Sequence, residues 1–235
     1  MSNAGSGSKR AVVVGSSFAG LTAAFELRKR LDPGVEVVVI EPRDKFTFIP
    51  SLIWVPFGMR EPDDVTFDLE PVYTKKGIRF VNESATGFDL EARKVLTSGG
   101  QEIEYDSLLL ATGPRLAFEK IAGLGPHDGY TQSVCNLEHA MLTREAWQEF
   151  LENPGPAVVG TAQGGSCCGA SYEFLLNTHH RIKKAALQDV APMTFITAEP
   201  FLGHFGLGGV ADSQQRVEKY FAKLGIEGIP NNVIK

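Results

Sequence analysis

The stretch Ala11-Val12-Val13-Val14-Gly15-Ser16-Ser17-Phe18-Ala19-Gly20 decides the fold. A short run of apolar, mostly β-branched residues stops at a glycine. From Phe18 to Leu31 the apolar side chains of Leu21, Ala24, Phe25 and Leu31 then return with helical spacing. The pattern predicts strand, glycine turn, helix. Asp32-Pro33-Gly34 ends that helix, Val35 to Ile40 is a second β-branched run, and Glu41 stands at its end. Together these segments form a βαβ unit.

Gly15 and Gly20 occupy the first and third glycine positions of a G-x-G-x-x-G loop, with Ser17 at the second. Gly15 permits the tight turn and Gly20 lets helix and strand approach, while the helix N-terminus presents N–H groups to a pyrophosphate. Ser17 costs some of the close approach. Glu41 lies 21 residues past Gly20, which suits an acid accepting hydrogen bonds from an adenosine ribose. An α/β turn that binds no nucleotide is the alternative, and the joint occurrence of loop, helix, strand and acid weighs against it. The candidate contacts from this unit are Gly15, Ser17, Phe18, Ala19, Gly20, Glu41, Pro42 and Arg43.

Beyond the first unit, the aromatic and proline-rich stretch Phe46 to Phe57 excludes a long regular element and reads as a loop that packs on a ligand. A short helix is expected around Asp68 to Lys76. Ile78 to Val81, Thr86 to Leu90, Lys94 to Thr97 and Glu102 to Tyr105 read as short strands of a meander, and Ser107 to Thr112 as a buried strand. After a glycine-bearing linker the pattern repeats: strand at Ala157 to Gly160, helix at Ser166 to Ile182, strand at Thr194 to Ala198, with Glu199 repeating the position of Glu41. A further helix, Ala211 to Leu224, ends at Gly225, and a last strand begins before Lys235. The expected fold class is α/β, with two Rossmann-like FAD/NAD(P)-binding βαβ domains, the second incomplete, and a small β-meander. Residues 1–8 look like an expression scar, 9–118 the first domain, 119–154 a linker carrying Cys135, and 155–235 the second domain, truncated.

Composition excludes several classes. The chain has 235 residues and a net charge of −5, with no basic cluster standing clear of acidic neighbours, so nucleic acid is not an expected partner. No apolar run approaches the roughly 18 residues that span a bilayer, and no charged segment followed by an apolar one opens the chain. A soluble polypeptide kept inside the cell is expected. Three cysteines, Cys135, Cys167 and Cys168, are too few for a disulfide scaffold, and no second Cys/His pair completes a zinc pattern, so no metal is expected.

Gly160-Thr161-Ala162-Gln163-Gly164-Gly165 is a degraded second dinucleotide loop, and Ser166-Cys167-Cys168 follows where its helix should begin. The positive end of a helix favours thiolate over thiol, so either Cys167 or Cys168 is a credible nucleophile. A buried, inert small residue is the alternative for each.

The glycine loop alone does not separate FAD from NAD. Ala111-Thr112-Gly113-Pro114 resembles the A-T-G segment of flavoprotein disulfide reductases, although on its own it also reads as an ordinary strand exit. With Phe46-Thr47-Phe48-Ile49-Pro50-Ser51, Ser133-Val134-Cys135 through His139-Ala140, Gly165-Ser166-Cys167, and Ile196-Thr197-Ala198-Glu199-Pro200 followed by Gly203-His204, the chain resembles the N-terminal half of the sulfide:quinone oxidoreductases. The cysteine segments discriminate this branch best.

The resemblance implies an FAD-dependent enzyme, peripheral on a membrane through a C-terminal part, with sulfide and quinone as partners and homo-oligomers among its allowed assemblies. It implies FAD contacts from Thr112, Gly113, Pro50 and Ala85 in addition to the first loop. Cys167 becomes one member of a redox pair whose partner lies in the C-terminal half, and Cys135 a second sulfide-handling thiol. His139, Glu173 and His204 match positions that assist proton transfer near the thiols or quinone, with a surface or hydrogen-bonded core residue as the alternative for each. Cys168 has an apolar counterpart in the family. The implied cycle has sulfide attack a disulfide of Cys167, two electrons pass through FAD to quinone, and sulfur leave as polysulfide. The apolar stretch Phe46 to Phe57, with Trp54, could wall part of a quinone pocket, with plain core packing as the alternative. The rivals are the flavoprotein subunit of flavocytochrome c sulfide dehydrogenase, whose flavin-linking cysteine has no counterpart in Phe46 to Pro50, a type II NADH dehydrogenase, whose second loop should not carry Ala162, and a non-catalytic FAD-binding redox sensor.

Overall fold

A computed structural model describes residues 9–234, and the segment read as an expression scar lies outside the described residues. The chain divides into two compact units, one of residues 9–47 and 66–116, the other of residues 48–65 and 117–234.

The first unit opens with β1 (Arg10–Val14), α1 (Phe18–Arg30) and β2 (Glu36–Ile40). It continues through β3 (Lys45–Thr47), β4 (Thr66–Asp68), α2 (Leu69–Lys75) and β5 (Arg79–Val81). A meander of β6 (Ala85–Asp89), β7 (Lys94–Thr97) and β8 (Glu102–Glu104) leads into β9 (Ser107–Leu110). The parallel sheet has the order β5-β2-β1-β9. Its valine runs are unbroken because both faces are covered. Val13, Val37 and Val39 pack with Ala24 of α1 and with Leu69 and Tyr73 of α2, whereas Val12, Val14, Val38 and Ile40 pack against Val95 and Ile103 of the meander.

Two expectations are corrected in this unit. Residues 78–81 do not belong to the meander: β5 pairs in parallel with β2, and the antiparallel sheet is β6-β7-β8. The strand read as buried at 107–112 ends at Leu110 and forms the sheet edge, with Leu110 58% exposed. An apolar run of this length carries no information about which strand is central.

In the second unit, residues 48–65 are held by α3 (Leu137–Glu152). A 3-10 turn at Ile49–Trp54 buries Leu52, which packs with Val55, Val65 and Ala140, and Arg144 ties the same segment through Val55 O, Arg60 O and Glu61. Although they fall within the expected first domain, 9–118, packing joins them to the second unit. Residues 119–154, expected as a linker, contain the 16-residue helix α3, capped by Asn136. The signal was available: an Asn N-cap precedes sixteen residues without glycine or proline.

The remainder of this unit is β10 (Ala157–Thr161), α4 (Cys168–Lys184), β11 (Met193–Thr197), α5 (Ser213–Leu224) and β12 (Glu227–Ile229). The strands form a parallel sheet in the order β10-β11-β12. Tyr172, Leu175 and Ile182 of α4 pack on Met193 and Phe195 of β11 and on Phe221 of α5. Helix α4 begins two residues later than the sequence suggested, which leaves Cys167 at its N-cap.

Candidate functional site

The first glycine loop packs backbone against backbone. Gly15 has φ +99°, and a Cβ there would collide with the backbone of Ala111 and crowd Thr112 N, so the loop lies directly on the A-T-G segment. A Cβ on Gly20 would strike the carbonyl of Gly15. Ser17 is the N-cap of α1 with no side-chain cap bond, and Phe18 and Ala19 are exposed at its first turn. Gly15, Gly20 and the Ala111–Thr112 backbone thus meet at one end of the sheet, with Thr112 and Gly113 exposed beyond them. These features fit a dinucleotide: a tight glycine turn, backbone at close approach, and a helix start.

Glu41 is almost fully buried and bound by its own chain. Its Oε2 accepts the Ser16 N–H at 2.8 Å, and its two oxygens take the Arg43 guanidinium at 2.7 and 3.1 Å. Burial pushes the carboxyl up, but the hydrogen bonds from Arg43 and from the N–H groups of Arg43 and Ser16 outweigh it and hold it below its ordinary range. Ser16 Oγ lies 2.6 Å from the hydroxyl of the fully buried Tyr73. Sequence reasoning missed Ser16 and Tyr73, because no motif marks a tyrosine that reaches a loop from 57 residues away. Pro42 is exposed, Ala85 is half-buried in the meander, and Pro50 belongs to the second unit, where it is exposed at the start of the 3-10 turn.

In the second unit the two adjacent thiols part company. Cys167 is exposed at the N-cap of α4, whereas Cys168 is buried and its Sγ lies 3.7 Å from Gly165 O. Burial, reinforced by the nearby Glu199 carboxylate, pushes the Cys168 thiol up and favours its neutral form. Glu173 lies on α4 and accepts the Trp54 indole N–H at 3.3 Å. Cys135 is exposed just before α3, and His139 is buried in the first turn of that helix.

Glu199 does not repeat the arrangement of Glu41. It stands two residues past the end of β11, and its carboxylate is filled from within: the Gly206 N–H at 2.7 Å and His204 Nδ1 at 3.3 Å on Oε1, the Tyr172 hydroxyl at 3.0 Å and Thr197 Oγ1 at 3.3 Å on Oε2. Tyr172 in turn accepts the Gly203 N–H at 3.0 Å. The acid therefore fastens the 203–206 turn beside Cys168 instead of facing outward from its loop.

Residues 9–234 match the sequence profile of the pyridine nucleotide-disulphide oxidoreductases. The sulfide-quinone reductase of Aquifex aeolicus is 40% identical over 227 residues, 97% of this chain and 52% of that protein. A mitochondrial sulfide:quinone oxidoreductase of Dictyostelium discoideum is 29% identical, covering 80% of this chain and 42% of its own length. Among solved structures, the sulfide:quinone oxidoreductase of Aquifex aeolicus superposes with a TM-score of 0.90 at 40% identity, over 97% of this chain and 52% of that one. The chain spans about half the length of the curated relatives it matches. With its parallel Rossmann-like sheets and small antiparallel sheet, the chain belongs to the pyridine nucleotide-disulphide oxidoreductase family.

Proposed function

We propose that this chain supplies the FAD-binding loop and the exposed thiol of an enzyme that oxidises sulfide and passes two electrons to a quinone. The observation that carries the reading is the division of labour at α4. Cys167 is exposed at the N-cap while Cys168 is buried, and the acid that an NADH-binding loop would turn to a ribose is consumed internally. The same observation argues against a type II NADH dehydrogenase.

Gly15, Ser17, Phe18, Ala19 and Gly20 would hold the pyrophosphate of FAD, with Glu41, Pro42 and Arg43 at its adenosine end and Thr112 and Gly113 along the nucleotide. Because Arg43 is bonded to Glu41, it must yield one carboxylate oxygen if a ribose hydroxyl is to be accepted there. When bound, FAD supplies a two-electron acceptor between thiol and quinone. Cys167 provides the sulfur that hydrosulfide attacks in its disulfide: the S–S bond breaks, a persulfide forms, and the partner sulfur leaves as thiolate. Cys135 takes a second role in carrying or releasing polysulfide. Glu173 and His204 are the proton-handling groups, and the Trp54 indole donates a hydrogen bond to Glu173, whereas His139, buried with the Phe118 ring against it, is left out of proton handling. Peripheral attachment to a membrane follows from the quinone substrate; no helix among the described residues is long and apolar enough to cross one.

The test is sulfide-dependent quinone reduction by the flavin-loaded enzyme. Activity should collapse in Cys167→Ser and largely survive in Cys168→Ser. Loss in Cys168→Ser with survival in Cys167→Ser would overturn the assignment.

A further inference from the structure

His127, Glu138 and His139 converge in the second unit although 11 and 12 residues separate the first from the others. One ligand-capable atom from each lies within 4.8 Å of the other two. His127 Nε2 is 3.5 Å from Glu138 Oε1, and the His127 and His139 rings are 5.3 Å apart at 65°. Glu138 and His139 lie in the first turn of α3, and the preceding loop carries His127 to them. As a plain ion pair the contact has little worth, because both His127 and Glu138 are more than half exposed. His139 differs: it is buried, the Phe118 ring packs against it, and its Nδ1 has no hydrogen-bond partner. A buried imidazole nitrogen without a partner is destabilising, and a bound metal ion would satisfy it.

We propose that His127, Glu138 and His139 form a binding site for a divalent transition-metal ion of the zinc class. Two imidazoles and one carboxylate suit Zn²⁺ and its neighbours in the first transition row, whereas Mg²⁺ and Ca²⁺ require mostly oxygen ligands. Tetrahedral coordination at about 2.0–2.2 Å from the ion places ligands roughly 3.4 Å from one another. The His127–Glu138 separation already matches that value. The remaining closure, from at most 4.8 Å, falls to the exposed side chains of His127 and Glu138, while buried His139 is the fixed point. With three protein ligands, at least one coordination position stays open to water or an anion. Bound metal would fasten the loop around His127 to the start of α3, two residues beyond Cys135. The site escapes a spacing search because its ligands come from a loop and a helix start rather than from a paired Cys or His motif.

The experiment is titration of the flavin-loaded enzyme with zinc chloride against a chromogenic chelator, in a Cys135→Ser/Cys167→Ser background that removes the exposed thiols as competing ligands. One equivalent should bind, and His127→Ala or Glu138→Gln should each weaken binding at least about tenfold, since even outer-shell partners of a metal are worth that much. Both residues are exposed, so folding is preserved, and circular dichroism checks it. Cobalt(II) bound in the same background should show ligand-field bands that disappear in the His127→Ala/Glu138→Gln double variant. No zinc binding, or affinity and cobalt spectrum unchanged in the double variant, would overturn the site.

Discussion

Replacing Glu199 by alanine strands one buried donor, the Tyr172 hydroxyl, and releases a second, the N–H of Gly206, in an exposed turn where water can take it up. The Gly206 N–H and the Tyr172 hydroxyl both point at this carboxylate, at 2.7 and 3.0 Å, and neither has another acceptor among its described hydrogen bonds. A buried donor left unpaired costs about 1–3 kcal/mol. Relief of the desolvation cost of the carboxylate offsets part of this. A net loss of about 2 kcal/mol is expected, which for a chain of this size lowers the melting temperature by about 4–8 °C. Glu199→Gln keeps one acceptor oxygen and should lose roughly half as much. The assay is thermal unfolding followed by circular dichroism, with fluorescence of Trp54 and Trp147, both in the second unit, as a local probe. A Glu199→Ala protein melting within about 1 °C of the wild type would refute the internal-anchor reasoning. Weakened NADH binding at unchanged stability would instead return Glu199 to a nucleotide role.

Two further outcomes follow from the titratable groups. Glu41 has its folded pKa depressed, so its contribution to stability is complete above the unfolded value of about 4.3 and is lost as pH falls through the folded pKa. Urea unfolding at successively lower pH should show this loss, and Glu41→Gln should flatten that part of the profile; an equal slope in the variant would count against it. Iodoacetamide at neutral pH should alkylate exposed Cys135 and Cys167 well before buried Cys168, whose thiol is held neutral. Peptide mass spectrometry reads the order, and modification of Cys168 as fast as Cys167 would contradict the packing at α4.

What is local in the chain is legible in the order of its residues. Val12 to Glu41 spells a βαβ unit because strand, glycine turn, helix and terminal acid are consecutive, and each obeys a period or steric rule that needs no distant partner. The same holds for α5 ending at Gly225, whose φ is +70°. Tertiary structure decided the rest, because pairing and burial depend on what arrives from elsewhere. Residues 79–81 are equally good as a meander strand or a parallel one until Val38 to Ile40 lie beside them. Cys167 and Cys168 are chemically alike at the start of one helix, and the two-residue later start of α4 leaves one exposed at the N-cap and the other packed near Glu199. Glu41 and Glu199 look like copies in the sequence. Only the fold turns the first to its own glycine loop and the second to Tyr172 and the 203–206 turn, since a carboxylate's role is set by which donors reach it.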